Sequence, residues 1–404
     1  MSVFNSLGSN YDFGFAIRAL FPEVAKLFLL PGGLGLDLKK YLEEKYDGEA
    51  ILLFKGREAI TLALKLLDLP KNSQVAINGF TCYAVYKAIE KAGCKPVLID
   101  IPRDDLNLTR SDLVSTLTKN PDIKVVIVQN TLGYPCDIDE ISEICKEKNI
   151  FLIEDLAHSV GAKYKNGTEA GRVGDFVVLS FSQDKIIDGI SGGALIIRNK
   201  IYQKNIENSF KNPSVALQLK DRFYPLLTFK IRIFYNVGGK LFHFVLKKTK
   251  LLSTPMQGTL YKFSNLPEWY CNLINYQFNN SDKELRHRRK VAEIYSRNLS
   301  KKILSDSIVK NIDLSANLRF PIFVENRQNL INYLKKDNIY ISDIWYDAPI
   351  APRRFMSEIN YKNDCPNAEK ISEKILNLPT HKNISEKQAL QLSNLINSFV
   401  IHNS

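Results

Sequence analysis

The sequence is poor in the residues that build metal centres and crosslinked scaffolds. It has five histidines and six cysteines. No two cysteines form a C-x-x-C pair and none clusters with a histidine at ligand spacing, which argues against structural zinc and against a disulfide framework. Unpaired thiols suit a reducing cytoplasm. The first fifteen residues, MSVFNSLGSNYDFGF, lack a charged segment followed by an apolar run, so no signal peptide is expected. Residues 12–30 are apolar, but Arg18, Pro22, Glu23 and Lys26 interrupt them too often for a bilayer span. Internal repeats, Gly/Ser linkers and low-complexity tracts are missing as well. What remains is a chain of 404 residues, 45% hydrophobic and 24% charged, which is an ordinary soluble composition. Its length favours two domains.

Acid is scarce in one stretch. The net charge is +12, and half of that excess arises between Asp221 and Lys250. There Arg222, Lys230, Arg232, Lys240, Lys247, Lys248 and Lys250 stand against the single acid Asp221, among large apolar side chains at 223–237 and 240–248. This composition fits a pair of interfacial amphipathic helices on an anionic membrane surface. It also fits a helical pair buried at a domain or dimer interface with its lysines solvated. His243 is read as part of that face. No nucleic-acid-binding motif accompanies the basic stripe, so nucleic acid is not expected as a partner.

Between residues 51 and 200, strand-like and helix-like segments alternate. Apolar runs at 75–77, 96–100, 124–129, 150–153, 176–181 and 194–197 have strand length, with helical periodicity between several of them. Alternation of this kind predicts an α/β fold: a large domain with a mostly parallel, mixed sheet flanked by helices. Residues 318–324, 326–337 and 339–342 read as strand, helix and strand of a smaller C-terminal α/β domain. The expected division is an N-terminal segment 1–50 packing with the small domain, a large domain 51–255 carrying the basic apolar insertion 222–252, and a small domain 256–404.

Chemistry in an open α/β sheet collects where strands end. The strand ends here carry Asp155, His158, Ser180, Ser182 and Lys185. A carboxylate, an imidazole, hydroxyls and one lysine are what a pyridoxal 5'-phosphate site requires: a lysine to bind the cofactor covalently, a carboxylate for the pyridine nitrogen, hydroxyls for the phosphate. Upstream, Lys55-Gly56-Arg57-Glu58 opens a helical run with apolar residues at Ala59, Leu62, Ala63 and Leu66. A glycine before a helix N-terminus is a phosphate seat, built from free N–H groups and the positive end of the dipole. Gly56 and the backbone of Arg57 and Glu58 are its candidates.

The run Glu-Asp-x-Ala-His (154–158), followed by Gly174-Asp175, Ser-Phe-Ser-x-x-Lys (180–185) and Gly-Gly-Ala (192–194), resembles the DegT/StrS-type sugar aminotransferases, fold-type-I pyridoxal phosphate enzymes. Trp345-Tyr346-Asp-Ala-Pro349, Cys365-Pro-Asn-Ala-Glu369 and Leu376-Asn-Leu-Pro379-Thr-His381 match that family's C-terminal landmarks. The resemblance implies that Lys185 is the cofactor-binding lysine and moves the substrate proton. By the same resemblance Asp155 pairs with the pyridine nitrogen, His158 lies near the phenolic oxygen and Ser180 binds phosphate. It further implies an amino-acid donor, by family expectation glutamate, a keto-sugar acceptor, usually nucleotide-linked, and a homodimer with shared active sites. Three positions depart from the family pattern. Lys55-Gly56-Arg57 replaces Ser-Gly-Thr, Cys82 takes the place of the aromatic that stacks on the cofactor, and Leu260 replaces an asparagine that contacts phosphate across the dimer. Tyr83 reads equally well as a stacking ring or as core.

The expected function is therefore amino transfer to a keto-sugar in surface polysaccharide or glycoconjugate biosynthesis. The expected location is the cytoplasm or the cytoplasmic face of the membrane. The basic insertion raises an alternative, the same chemistry on a lipid-linked sugar. The related dehydratases lack the lysine, which Lys185 argues against, and a non-catalytic regulator on the same fold is disfavoured by Asp155 and Lys185 together. The basic run 286–290 and His381 read as surface.

Overall fold

The computed structural model describes residues 2–21, 37–203, 210–255, 263–342 and 344–403. Seven strands build the main sheet: β1 Glu49–Leu53, β2 Gln74–Asn78, β3 Lys95–Ile99, β4 Ile123–Gln129, β5 Phe151–Asp155, β6 Phe176–Ser180 and β7 Gly193–Ile197. Their order is β1-β7-β6-β5-β4-β2-β3. β7 runs antiparallel to both neighbours and the remaining pairs are parallel. The mostly parallel, mixed sheet expected from the alternating segments is thus present.

Its strands are apolar on both sides because both sides are covered. Val126 and Val128 of β4 join one hydrophobic cluster, together with Leu152, Val177 and Leu179. Val125 and Ile127 join the opposite one with Ile153, Phe176 and Val178. This is the two-residue period of a strand, filled with β-branched side chains on each face. The helix Gly56–Leu66 lies on the second face and buries Ala59, Ile60, Leu62, Ala63 and Leu64.

A third cluster gathers the C-terminal elements. Arg319–Phe323 pairs antiparallel with Ile375–Pro379, and helices Arg327–Lys335, Pro366–Lys374 and Glu386–Asn403 accompany them. One helix, Glu268–Asn298, serves two clusters. Its first half gives Tyr270, Ile274, Phe278 and Leu285 to the main-sheet core, and its second half gives Val291, Ala292 and Tyr295 to the C-terminal one. The basic run 286–290 sits at the crossing point: Arg286 and Lys290 are exposed, as a solvated face requires, and Arg288 departs from that reading. Arg288 is fully buried there, donating to the Leu318 carbonyl (3.3 Å), Thr380 Oγ1 (3.1 Å) and Asn10 Oδ1 (3.0 Å).

The N-terminus ties these parts together. Val3–Phe4 pairs parallel with Ile339–Tyr340. His381, expected at the surface, is buried with Nε2 2.7 Å from the Phe4 carbonyl oxygen. Helix Phe13–Leu20 packs against helix Val215–Ile233, which continues through Tyr235–Val237 into a second helix, Gly239–Lys248. The basic insertion is therefore a helical hairpin. No helix among the described residues is long and apolar enough to cross a membrane.

Candidate active site

Three parallel strands end on one cavity of about 1000 Å³: β4 at Gln129, β5 at Asp155 and β6 at Ser180. The N-terminus of helix Gly56–Leu66 reaches the same cavity from beside β6. Its approach demands glycine: a Cβ on Gly56 would stand 2.8 Å from the Ser180 Cβ and 3.1 Å from the Leu179 carbonyl oxygen. Gly193 of β7 is pressed equally hard, since its Cβ would meet the Gly56 nitrogen at 2.5 Å. The helix terminus is thereby seated against the Ser180 hydroxyl.

Lys185 enters from the turn after β6. Its ammonium lies 4.7 Å from the Trp345 ring centroid. Burial pulls its pKa below the ordinary lysine value, against the opposing fields of Cys82, Asp155 and Asp184. The turn is fastened by a buried carboxylate that the sequence reading passed over. Asp188 accepts from the Asp184 N–H (2.8 Å), the Ile190 N–H (2.9 Å), Tyr11 Oη (2.6 Å) and Asn10 Nδ2 (3.2 Å). Asn10 Nδ2 also donates to the Lys185 carbonyl (3.1 Å). Asp184 and Ile190 adopt φ of 63° and 73°, strained values that this four-donor clasp holds in place.

Asp155 receives the Ala157 N–H at 2.9 Å, and burial raises its pKa while that bond and Lys185 oppose the rise. His158 accepts the Leu132 N–H on Nδ1 (3.2 Å), which assigns its proton to Nε2. Burial, reinforced by the charges of Lys185 and Arg319, keeps the ring neutral by lowering its pKa well below the usual value. The imidazole stacks on Trp345, with centroids 5.2 Å apart and planes at 25°.

Of the eight residues singled out in the sequence, Gly56, Arg57, Cys82, Asp155, His158, Ser180 and Lys185 line this one cavity. Glu58 does not. Its N–H bonds to the Lys55 carbonyl (3.1 Å) and its carboxylate accepts the Ser264 N–H (3.1 Å). The Arg57 guanidinium donates to the Pro255 carbonyl (2.6 Å). Cys82 caps helix Tyr83–Lys91, its sulfur accepting the Ala84 N–H. Tyr83 stacks on Phe355, 4.6 Å between centroids and 20° between planes, and its hydroxyl bonds Glu358. It belongs to the core. The Leu260 departure lies outside the described residues.

Lys55, Trp345, Tyr346 and Arg354 also reach the cavity, as do His243, Lys247 and Lys250 of the hairpin. His243 is thus a cavity residue as well as a hairpin one. An acid-free segment of lysines and a histidine among apolar residues was the available signal for these last three.

The model of the DegT/DnrJ/EryC1/StrS aminotransferase family matches residues 36–397. The chain belongs to this family. As a member it is an aminotransferase, and the identification made from residues 154–194 extends over nearly the whole chain. Among family members it is 25% identical to GDP-perosamine synthase of Escherichia coli over 365 residues, 89% of this chain and 88% of that protein. It is 28% identical to dTDP-4-amino-4,6-dideoxy-D-glucose transaminase of Shigella dysenteriae over 368 residues, 89% and 88% of the two chains. Its fold matches Helicobacter pylori PseC, an aminotransferase involved in pseudoaminic acid biosynthesis, with a TM-score of 0.71 over 98% of both chains at 15% identity.

Proposed function

We propose that the chain is a pyridoxal 5'-phosphate-dependent aminotransferase that places an amino group, drawn from glutamate, on a nucleotide-linked keto-sugar for polysaccharide or glycoconjugate biosynthesis. One observation carries the reading: Lys185, Asp155 and the glycine-headed helix terminus with Ser180 converge on a single cavity. Two relatives named for sugar-nucleotide chemistry, each covered over nearly its full length, support the substrate class. The family resemblance supports a homodimer with shared active sites.

The residues fit the cofactor. The seat where a Cβ on Gly56 would collide with Ser180 offers free N–H groups and a hydroxyl to a phosphate. Across the same cavity stand an amine and a carboxylate. Bound pyridoxal phosphate would supply an electron sink for the carbon losing or gaining the amino group. The protein supplies the rest. Lys185, whose pKa burial lowers, is the amine placed to take a proton from the substrate carbon and return it. Asp155, buried and half-satisfied by one N–H, offers its free carboxylate oxygen to a cationic ring nitrogen. Neutral His158 has its Nε2–H to donate to an oxygen beside the ring.

Absorbance of the purified protein with added pyridoxal phosphate tests the reading. The expected result is a visible band in the wild type that glutamate shifts and that Lys185→Ala abolishes. A wild type without the band would overturn it.

A second observation favours a carrier other than a nucleotide. Leu241, Phe242, Phe244 and Val245 of the hairpin are exposed, while His243, Lys247 and Lys250 of the same segment line the cavity. This supports peripheral binding to an anionic membrane face, with the sugar presented on a lipid phosphate.

A further inference from the structure

Beside the glycine-headed helix terminus lies a cation for which amino transfer has no use. Lys55 precedes Gly56, lines the cavity and is only 6% exposed. Its ammonium carries three hydrogens. Among the described residues one of them has an oxygen acceptor, Ser191 Oγ at 2.9 Å, and the ammonium also lies 4.6 Å from the Phe54 ring centroid. The Ser191 hydroxyl in turn donates to Asp221 Oδ2 (2.7 Å). Asp221 is fully buried and accepts also from Tyr270 Oη (2.8 Å) and from Ser253, which Gln183 holds at 3.1 Å.

This arrangement is costly unless it binds something. A buried ammonium in direct contact with a carboxylate would be neutralised. Here the carboxylate is set one hydroxyl away, near enough to orient the lysine and too far to satisfy it. Burial accordingly holds the Lys55 pKa down to about 8. Lys55 lines the same cavity as Gly56, Arg57 and Ser180, with hydrogens left for a further oxygen acceptor.

We propose that Lys55 is a direct ligand of the phosphate seat, with Asp221 of the helical hairpin positioning it through Ser191. The ligand chemistry is a phosphate monoester. The assignment deepens the cofactor reading and rests on it for the identity of that monoester. It gives the chain a cationic phosphate contact within a single subunit. It also gives the hairpin a role inside the site, because Asp221 lies on its first helix and Ser253, which donates to Asp221, follows its second.

Binding of three probes to the full-length protein, freed of cofactor, decides the matter. They are inorganic phosphate by calorimetry, and pyridoxal 5'-phosphate and pyridoxal by absorbance. Lys55→Met should weaken both phosphate-bearing probes at least tenfold and leave pyridoxal unchanged. Ser191→Ala, a smaller lesion that keeps the charge, should weaken phosphate severalfold. Wild-type phosphate affinity should fall between pH 7.5 and 9.5 as Lys55 loses its proton, and this fall should vanish in Lys55→Met. Unchanged phosphate affinity in both variants, or equal losses for pyridoxal and its phosphate, would overturn the proposal. Failure of the wild type to bind either pyridoxal compound would sink the cofactor reading instead, and the phosphate arm would still judge Lys55.

Discussion

The carboxyl edge of the main sheet and the helical hairpin 215–251 treat water in opposite ways. At the sheet edge, Asp155, His158, Lys55 and Asp188 are all buried, and each has its partners counted out in hydrogen bonds. On the hairpin, apolar side chains face outward: Val237 is 82% exposed, Leu241 67% and Phe244 62%. The sheet edge hides charge and the hairpin displays hydrocarbon. Both arrangements are unfavourable in an isolated soluble domain, and on the proposed reading a bound anion offsets the one and an apolar surface the other. Asp221 joins the two regions, being fully buried on a helix whose neighbouring Leu219 and Phe223 are about half exposed.

The largest effect is expected where charge is hidden. Asp188→Ala strips the acceptor from Tyr11, Asn10 and two backbone N–H groups at once. Leaving several buried donors unpaired should cost about 3 kcal/mol or more of unfolding free energy, measurable by urea denaturation. Because Asp188 fastens the turn that carries Lys185, the lysine-bound cofactor band should also weaken. A loss under 1 kcal/mol would mean that the clasp is ornamental and that the sheet edge is held by packing alone.

A smaller effect, with a sign fixed by linkage, belongs to Glu58. Burial raises its pKa to about 7, well above the ordinary carboxylate range, against the bond from the Ser264 N–H and the fields of Lys55 and Arg57. Between pH 4.5 and 7 the folded state holds a proton that the unfolded state has released, so stability falls as pH rises through this window. The change should be on the order of 1–2 kcal/mol. Glu58→Gln keeps the acceptor for Ser264 and removes the titration. The variant should match the parent near pH 4.5 and exceed it at pH 8 in urea melts. Parallel curves for the two proteins would show that the seat's flank is better solvated than its burial indicates.

The contrast also explains how far the sequence could be read. β4, with IKVVIVQ, carries its strand period and its two-sided burial in its residue types alone, and Lys185, Asp155 and Ser180 sit at punctuated strand ends. Those were legible. Asp188, Asn10 and Arg288 were not, because their partners lie 178 and 278 residues away along the chain and no local period marks a long-range hydrogen bond. The long helix Glu268–Asn298 was not legible either. Its first half buries Trp269, Tyr270, Leu273 and Ile274 amid polar residues, a pattern that makes sense only once two cores are known to flank it. Lys55 looked like a departure from the family's serine, and its meaning depends on Ser191 and Asp221, both remote in sequence.

The hairpin should show the least effect on folding and the clearest effect on partition. Phe242, Phe244 and Val245 are 42%, 62% and 45% exposed, so the triple change Phe242→Ser, Phe244→Ser, Val245→Ser removes little buried area. Its stability should stay within about 0.5 kcal/mol of the parent. Binding to vesicles containing anionic lipid should weaken at least about tenfold, since the apolar anchors are gone while Lys240, Lys247, Lys248 and Lys250 remain. Raising salt should release the parent as well, because the lysines act through a screened field. If neither protein binds vesicles and the triple variant instead changes oligomeric state, the exposed hydrocarbon is an interface between copies of the chain. A second copy would bring its own lysines to a face on which no described residue between Arg222 and Pro255 is acidic. That repulsion is the physical reason for preferring lipid.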